Sequence, residues 1–162
     1  MTTPSAESAP TELWVSREGT RRYGGHSSRG ARVEIGNPDV EGVFTPGELL
    51  KIALASCTAM ASDTLLARRL GDDYGSTVRV HGAADRSEEV YPAITENYEL
   101  DLSSLSAAEA EKLLTLVRRA VDKSCTVGRT VTRGARVELE LETGQLGSGQ
   151  PEAGQLGSGP EL

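Results

Sequence analysis

Among the 162 residues of this chain, the side chains most able to do covalent chemistry are its two cysteines. Cys57 closes the stretch FTPGELLKIALASC (44–57), and Cys125 lies in DKSCTVGRT (122–130). A thiolate is a nucleophile toward peroxides and disulfides, and two thiols brought together can cycle through a sulfenic acid and a disulfide. A free cysteine is also among the most buried residue types, where it acts as a small hydrophobe. From the residues alone both readings stay open. The charged approach Asp122-Lys123-Ser124 reads as an accessible junction at Cys125 rather than a core position. Zinc ligation by Cys57, Cys125, His26 and His81 is chemically conceivable, but the local ligand pairs of structural zinc modules are absent, so no metal is expected. His26 and His81 read as a loop and a strand residue with ordinary hydrogen bonds. Arg21, Arg22, Arg29 and Arg32 form a basic patch whose simplest role is a solvated surface.

The elements that must position these groups follow from periodicity and caps. LWVSRE (13–18), TRRYGG (20–25) and ARVEIG (31–36) alternate over short stretches with glycine breaks, predicting an antiparallel meander. Thr45-Pro46-Gly47-Glu48 then provides a helix start, with Thr at the N-cap, proline at the first helical position and a glutamate three residues after the cap. No further Gly or Pro occurs from Leu49 to Leu70, which predicts a long central helix, with Leu49, Ile52, Ala53, Ser56, Met60 and Ala67 as its small-residue apolar face. TVRVHGAAD (77–85) and ITENYELDL (94–102) alternate as strands. A second capping box at Ser106 and Glu109 opens a helix that ends near Lys123, with Leu113, Leu116, Val117, Ala120 and Val121 on one face. DKSCTVGRTVTRG is a break with room for a short helical turn, and ARVELELE (135–142) is a final strand. The order β-β-β-α-β-β-α-β is an α+β pattern in which a sheet wraps two helices.

Length and composition set the limits. One domain is expected, spanning residues 12–143. Residues 1–11 are poor in large apolar side chains, and GQLGSGQPEA (144–153) is nearly repeated in GQLGSGPEL (154–162); both ends read as disordered tails. A net charge of −7 argues against binding a phosphate backbone, which requires many neutralising Lys and Arg contacts. No basic region followed by an apolar run marks a secretory signal, and no segment is expected to cross a membrane. The expected setting is cytoplasmic, where structural disulfides are rare and any pairing of the cysteines would be redox-active. Only 4% of residues are aromatic, so the single-chain core is light and a partner subunit would add buried area.

The helix Pro46-Gly47-Glu48-Leu49-Leu50-Lys51-Ile52-Ala53-Leu54-Ala55-Ser56-Cys57, followed after a second long helix by Ser124-Cys125-Thr126-Val127, resembles the pattern of the OsmC/Ohr family, the osmotically inducible and organic hydroperoxide resistance proteins. The resemblance covers nearly all of the expected domain. It implies an OsmC-like fold in an intertwined homodimer, and a thiol peroxidase without metal or organic cofactor. In that reading Cys57 attacks an organic hydroperoxide, with hydrogen peroxide as a further substrate, and becomes a sulfenic acid. Cys125 condenses with it to a Cys57–Cys125 disulfide, which an external dithiol such as a dihydrolipoyl protein reduces. The resemblance assigns the activating cation to Arg21, with Arg22 as the neighbouring alternative. It also implies a supporting glutamate ten residues before the first cysteine, where this chain has Gly47. Glu48 stands one place later and has a sufficient role in its cap. The alternative implied by that departure is a non-catalytic stress-associated or binding protein of the same fold.

Overall fold

The computed structural model describes residues 10–141. The elements, in chain order, are β1 (Leu13–Gly19), β2 (Arg22–Ser27), β3 (Arg32–Gly36), α1 (Pro46–Leu70), β4 (Ser76–His81), β5 (Thr95–Leu100), α2 (Ala107–Ser124) and α3 (Thr126–Arg133). The described chain divides into two compact units, one of residues 10–43 with 137–141 and the other of residues 44–136. Both expected tails fall mainly outside the described residues.

The first unit is the predicted meander, β1-β2-β3, antiparallel throughout. Gly19 pairs with Arg22, so Thr20 and Arg21 form the turn and β2 starts two residues later than the pattern predicts. Arg21 there has φ of 53°, a left-handed conformation that few residues other than glycine adopt. Gly25 meets the need for close approach: a Cβ at that position would come within 2.9 Å of Val33.

The second unit is built around α1. Thr45 and Glu48 form the predicted capping box, with Pro46 in the first turn. The face of α1 that packs within the unit is Leu54, Ala55, Thr58, Ser62 and Leu66. This corrects the expected stripe, since Ile52, Ala53, Ser56 and Met60 are exposed in the single chain, Met60 at 78%. A helix with apolar residues on more than one side has no unique inward face by composition; contact with α2, α3 and β4 makes the choice. α1 is also long and apolar enough to cross a membrane, contrary to expectation; five of its residues are buried within the unit.

The core of this unit gathers Leu66, Leu113 and Val117 with Leu65, Tyr74, Tyr98, Leu100 and Val121 around them. Of the expected α2 face, Leu113, Val117 and Val121 pack here while Leu116 is exposed, and Ser106 and Glu109 cap the helix as expected. β4 and β5 pair antiparallel as a separate two-stranded sheet, where one sheet was expected. β4 stops at His81 because the chain then turns through an isolated bridge between Asp85 and Val90. The sequence break after α2 is a full two-turn helix, α3, the third helix among the described residues. Residues 135–141 form no strand in this chain, and Val137, Leu139 and Leu141 are more than 80% exposed. Alternation alone makes a segment suited to a sheet, but a strand also needs a neighbour to accept its backbone hydrogen bonds.

Candidate functional site: two thiols at the start of α3

Both cysteines belong to the second unit, and tertiary structure brings their side chains together although they stand 68 positions apart in the sequence. Cys57 is half-buried on α1; Cys125 is buried, only 3% exposed, in the single residue between α2 and α3. Cys125 is the N-cap of α3, and its Sγ accepts the Gly128 N–H at 3.3 Å. A helix start leaves several N–H groups without intrahelical acceptors, and these favour an anion placed before them. Here the backbone N–H groups of Val127 and Thr126 favour the charged form of the Cys57 sulfur.

The two thiols are thereby pushed in opposite directions. Burial raises the Cys57 pKa, but the Val127 N–H, the Cys125 thiol and the Thr126 N–H favour the thiolate, and the net shift is downward. Burial raises the Cys125 pKa, and the neighbouring Cys57 adds to it, against the Gly128 N–H and Thr58, leaving the thiol above its ordinary value. Cys57 is thus the more readily ionised of the two thiols and Cys125 the less. Such an arrangement can perform attack on an electrophile at Cys57 and subsequent disulfide formation with Cys125.

A cleft of about 600 Å³ opens beside Cys125. Leu54, Ile94, Val121 and Val131 give it apolar walls, and Glu96, Asp122 and Arg129 bring charge to it. An apolar cleft with a few polar groups suits a small, largely organic substrate. Cys57 itself is not among the residues that line it.

Two groups at this site escaped the sequence reading. Thr58, next to Cys57, is buried; its hydroxyl donates to Glu96 Oε2 at 3.1 Å and lies 3.9 Å from Cys125 Sγ. The other carboxylate oxygen, Glu96 Oε1, is buried without a hydrogen-bond partner among the described residues. The signal for Glu96 was present in β5: Glu96, Tyr98 and Leu100 share the inner side of the strand, while Thr95, Asn97 and Glu99 are exposed. A carboxylate at an inward register position is costly unless it has a use.

The remaining candidates have definite places. Arg21 belongs to the first unit, where its Nε donates to Asn37 Oδ1 at 2.7 Å; the group that holds it is an amide, not a carboxylate. Arg22 pairs with Glu34 at 3.7 Å, and Arg32 bonds both Glu18 and Glu34. Arg29 lies in the turn after β2, where its N–H donates to Ser27 Oγ. Glu48 accepts the Thr45 N–H at 2.7 Å and the Thr45 hydroxyl at 3.0 Å, which holds its carboxyl below the ordinary range. It is a capping residue. The space beside Gly47 is occupied by Tyr91: a Cβ on Gly47 would overlap the phenol oxygen. Lys51 Nζ sits 4.6 Å from the centre of that ring and donates to Gly82 O. In place of a carboxylate at position 47, the chain therefore presents a phenol from another part of the unit. His26 stacks on Trp14 and bonds Ser16 Oγ, and no group of His, Cys, Asp and Glu among the described residues is arranged to hold a metal ion.

Comparison with known proteins adds a lineage to this geometry. The family model for OsmC-like proteins matches residues 39–140. An uncharacterized protein of Mycobacterium bovis is 63% identical over 131 residues, covering 81% of this chain and 96% of that protein. The crystal structure of an OsmC-like protein from Mycoplasma pneumoniae superposes with a TM-score of 0.58 at 15% identity, over 77% of this chain and 89% of that one. A Psychrobacter arcticus structure, described as an osmotic stress induced and detoxification response protein, gives 0.59 at 17% identity, over 78% and 91%. At such identities the structures share the fold, a mixture of antiparallel strands and helices.

Proposed function

The chain belongs to the OsmC-like protein family, and from that premise we propose that it is a cysteine-based peroxidase acting on organic hydroperoxides. The observation that carries this reading is the placement of the two thiols together at the start of α3, with Cys125 Sγ on the Gly128 N–H, an arrangement that lowers the Cys57 pKa and raises that of Cys125. The Cys57 thiolate attacks the terminal oxygen of the hydroperoxide, the O–O bond breaks, and the alkoxide leaves and takes a proton to become an alcohol. Cys57 is now a sulfenic acid. Cys125 attacks that sulfur, a disulfide forms, and hydroxide departs as water with the Cys125 proton. An external dithiol restores both thiols by exchange.

The same proposal includes a homodimer. Its support is apolar surface that one chain leaves exposed: Ile52 and Met60 on α1, and the strand-patterned Val137, Leu139 and Leu141. A second copy offering a sheet edge would satisfy both the alternation and the apolar side chains. Arg21 is assigned to Cys57 only within this proposal.

The second reading, a non-catalytic member of the family, is favoured by Tyr91 filling the space beside Gly47. One experiment separates the two. Reduced full-length protein is mixed with excess cumene hydroperoxide, with loss of thiols and the Cys57–Cys125 disulfide followed by mass spectrometry and subunit number by light scattering. Oxidation at least about a hundredfold faster than a free thiol is expected. Oxidation no faster than a free thiol overturns the peroxidase reading in favour of the second.

A further inference from the structure

Glu96 is a puzzle on the peroxidase reading, because its negative charge works against the Cys57 thiolate. The chain nevertheless places it on the inner side of β5, with one oxygen on Thr58 and the other buried without a partner among the described residues. Burial of an unpartnered carboxylate oxygen is destabilising, so a local structural role does not account for it. We propose that Thr58 and Glu96 form a proton relay that deprotonates Cys125, so that the second thiol can attack the modified Cys57. The inference rests on the two-cysteine chemistry proposed above and concerns its second step.

A hydroxyl has one hydrogen. With that of Thr58 on Glu96 Oε2 at 3.1 Å, the Thr58 hydroxyl oxygen, 3.9 Å from Cys125 Sγ, is left as an acceptor open to the Cys125 S–H. Cys125 likewise has one proton. While Cys57 is a thiolate, that proton has an anion beside it; once Cys57 is a neutral sulfenic acid or mixed disulfide, Thr58 is the acceptor that remains. The proton then passes to Thr58 as the Thr58 proton passes to Glu96, leaving Cys125 a thiolate that the Gly128 N–H supports at 3.3 Å. Cys125 attacks the Cys57 sulfur, an S–S bond forms and the S–O bond breaks. The hydroxide leaves as water after taking up one proton, and Glu96 returns to its charged form by releasing one. Thr58 touches a reacting atom; Glu96 acts through it. The other titratable groups around the relay are Cys57 on α1, and, lining the same cleft, Tyr91 before β5, Asp122 on α2 and Arg129 on α3.

The second step can be isolated without peroxide. Cys57 of the full-length protein is loaded with nitrothiobenzoate from its symmetrical disulfide, and Cys125 then expels the coloured thiol as it forms the protein disulfide. In the native chain the rate is expected to vary far less than about tenfold per pH unit between pH 6 and 8. Glu96→Gln and Thr58→Val should slow expulsion at least about tenfold at pH 6, with a rate that climbs with pH as Cys125 ionises unaided. Thr58→Ser, which keeps the hydroxyl, should restore the native rate and profile. Native-like rates and profiles in both Glu96→Gln and Thr58→Val would overturn the relay. So would a native profile that already climbs tenfold per pH unit, a result that needs no variant to fold. Because no peroxide enters the assay, a protein inert to hydroperoxides still reports on the relay, and the two readings fail separately.

Discussion

At the start of α1 the Thr45 hydroxyl accepts the Glu48 N–H at 3.2 Å, and the Glu48 carboxylate takes the Thr45 N–H in return. At the start of α3 the cap is a sulfur, Cys125 accepting from Gly128, while the N–H groups of Thr126 and Val127 turn to a second sulfur on α1. Both helices begin with the same surplus of backbone donors. In α1 the donors are absorbed by side chains of the same turn and by Pro46, which has no N–H to satisfy. In α3 they are directed to a thiol from another element. Identical backbone physics thus stabilises a helix in one place and favours a thiolate in the other.

The largest effect is expected at Gly47, in the first turn of α1. Gly47→Ala should cost about 1–3 kcal/mol, because the new methyl overlaps Tyr91. Combining it with Tyr91→Ala should recover much of the loss due to overlap, read as the non-additivity of the double variant in urea unfolding. Additive losses would show that Tyr91 does not occupy that space in solution.

A smaller effect would sharpen the contrast by making α3 start as α1 does. Thr126→Pro places proline after an extended N-cap, with Cys125 at φ −74° and ψ 93°, and removes one N–H from Cys57. Cys57 should lose about three- to tenfold in alkylation rate at pH 7, with its thiol pKa moving upward and α3 retained. An unchanged pH profile of alkylation would mean the N-terminal donors do not control this thiol.

The smallest effect belongs to the cap of α1. Thr45→Ala should cost ~1 kcal/mol of stability and leave Cys57 alkylation as it was. The Glu48 carboxyl is held below its ordinary value of 4.5, first by the Thr45 N–H and then by its hydroxyl. A lowered native pKa stabilises the fold above the unfolded value, and that contribution is lost as pH falls through the native one. Glu48→Gln should therefore flatten part of the stability loss below about pH 4.5. Chemical unfolding across pH 3 to 6 measures it.

Much of the fold was legible because it is locally encoded. Thr45 with Glu48 and Ser106 with Glu109 are caps whose partners lie three residues apart, and both form as their spacing predicts. Alternation likewise located β1 to β5 to within a few residues. Two features were missed for opposite reasons. α3 follows α2 after a single residue, and its Gly128, three threonines and β-branched Val127 and Val131 argue weakly for helix, so tertiary packing had to decide it. Residues 135–141 have a strand's pattern without a strand in this chain, since pattern does not supply a partner.

The candidate site divides in the same way. Residue types and helical contexts singled out Cys57 and Cys125 and made Gly47 the conspicuous departure from the family pattern. Sequence also determined the α1 cap that holds Glu48, because a hydrogen bond between neighbours in one turn depends on little beyond that turn. Only the tertiary structure set the two sulfurs side by side, gave Cys57 the donors of α3, placed Tyr91 beside Gly47 and turned Glu96 toward Thr58. Those contacts join residues 38 to 70 positions apart in the sequence. Such distances are closed by the packing of whole elements, whose energy is the sum of many weak contacts rather than a property of any short stretch.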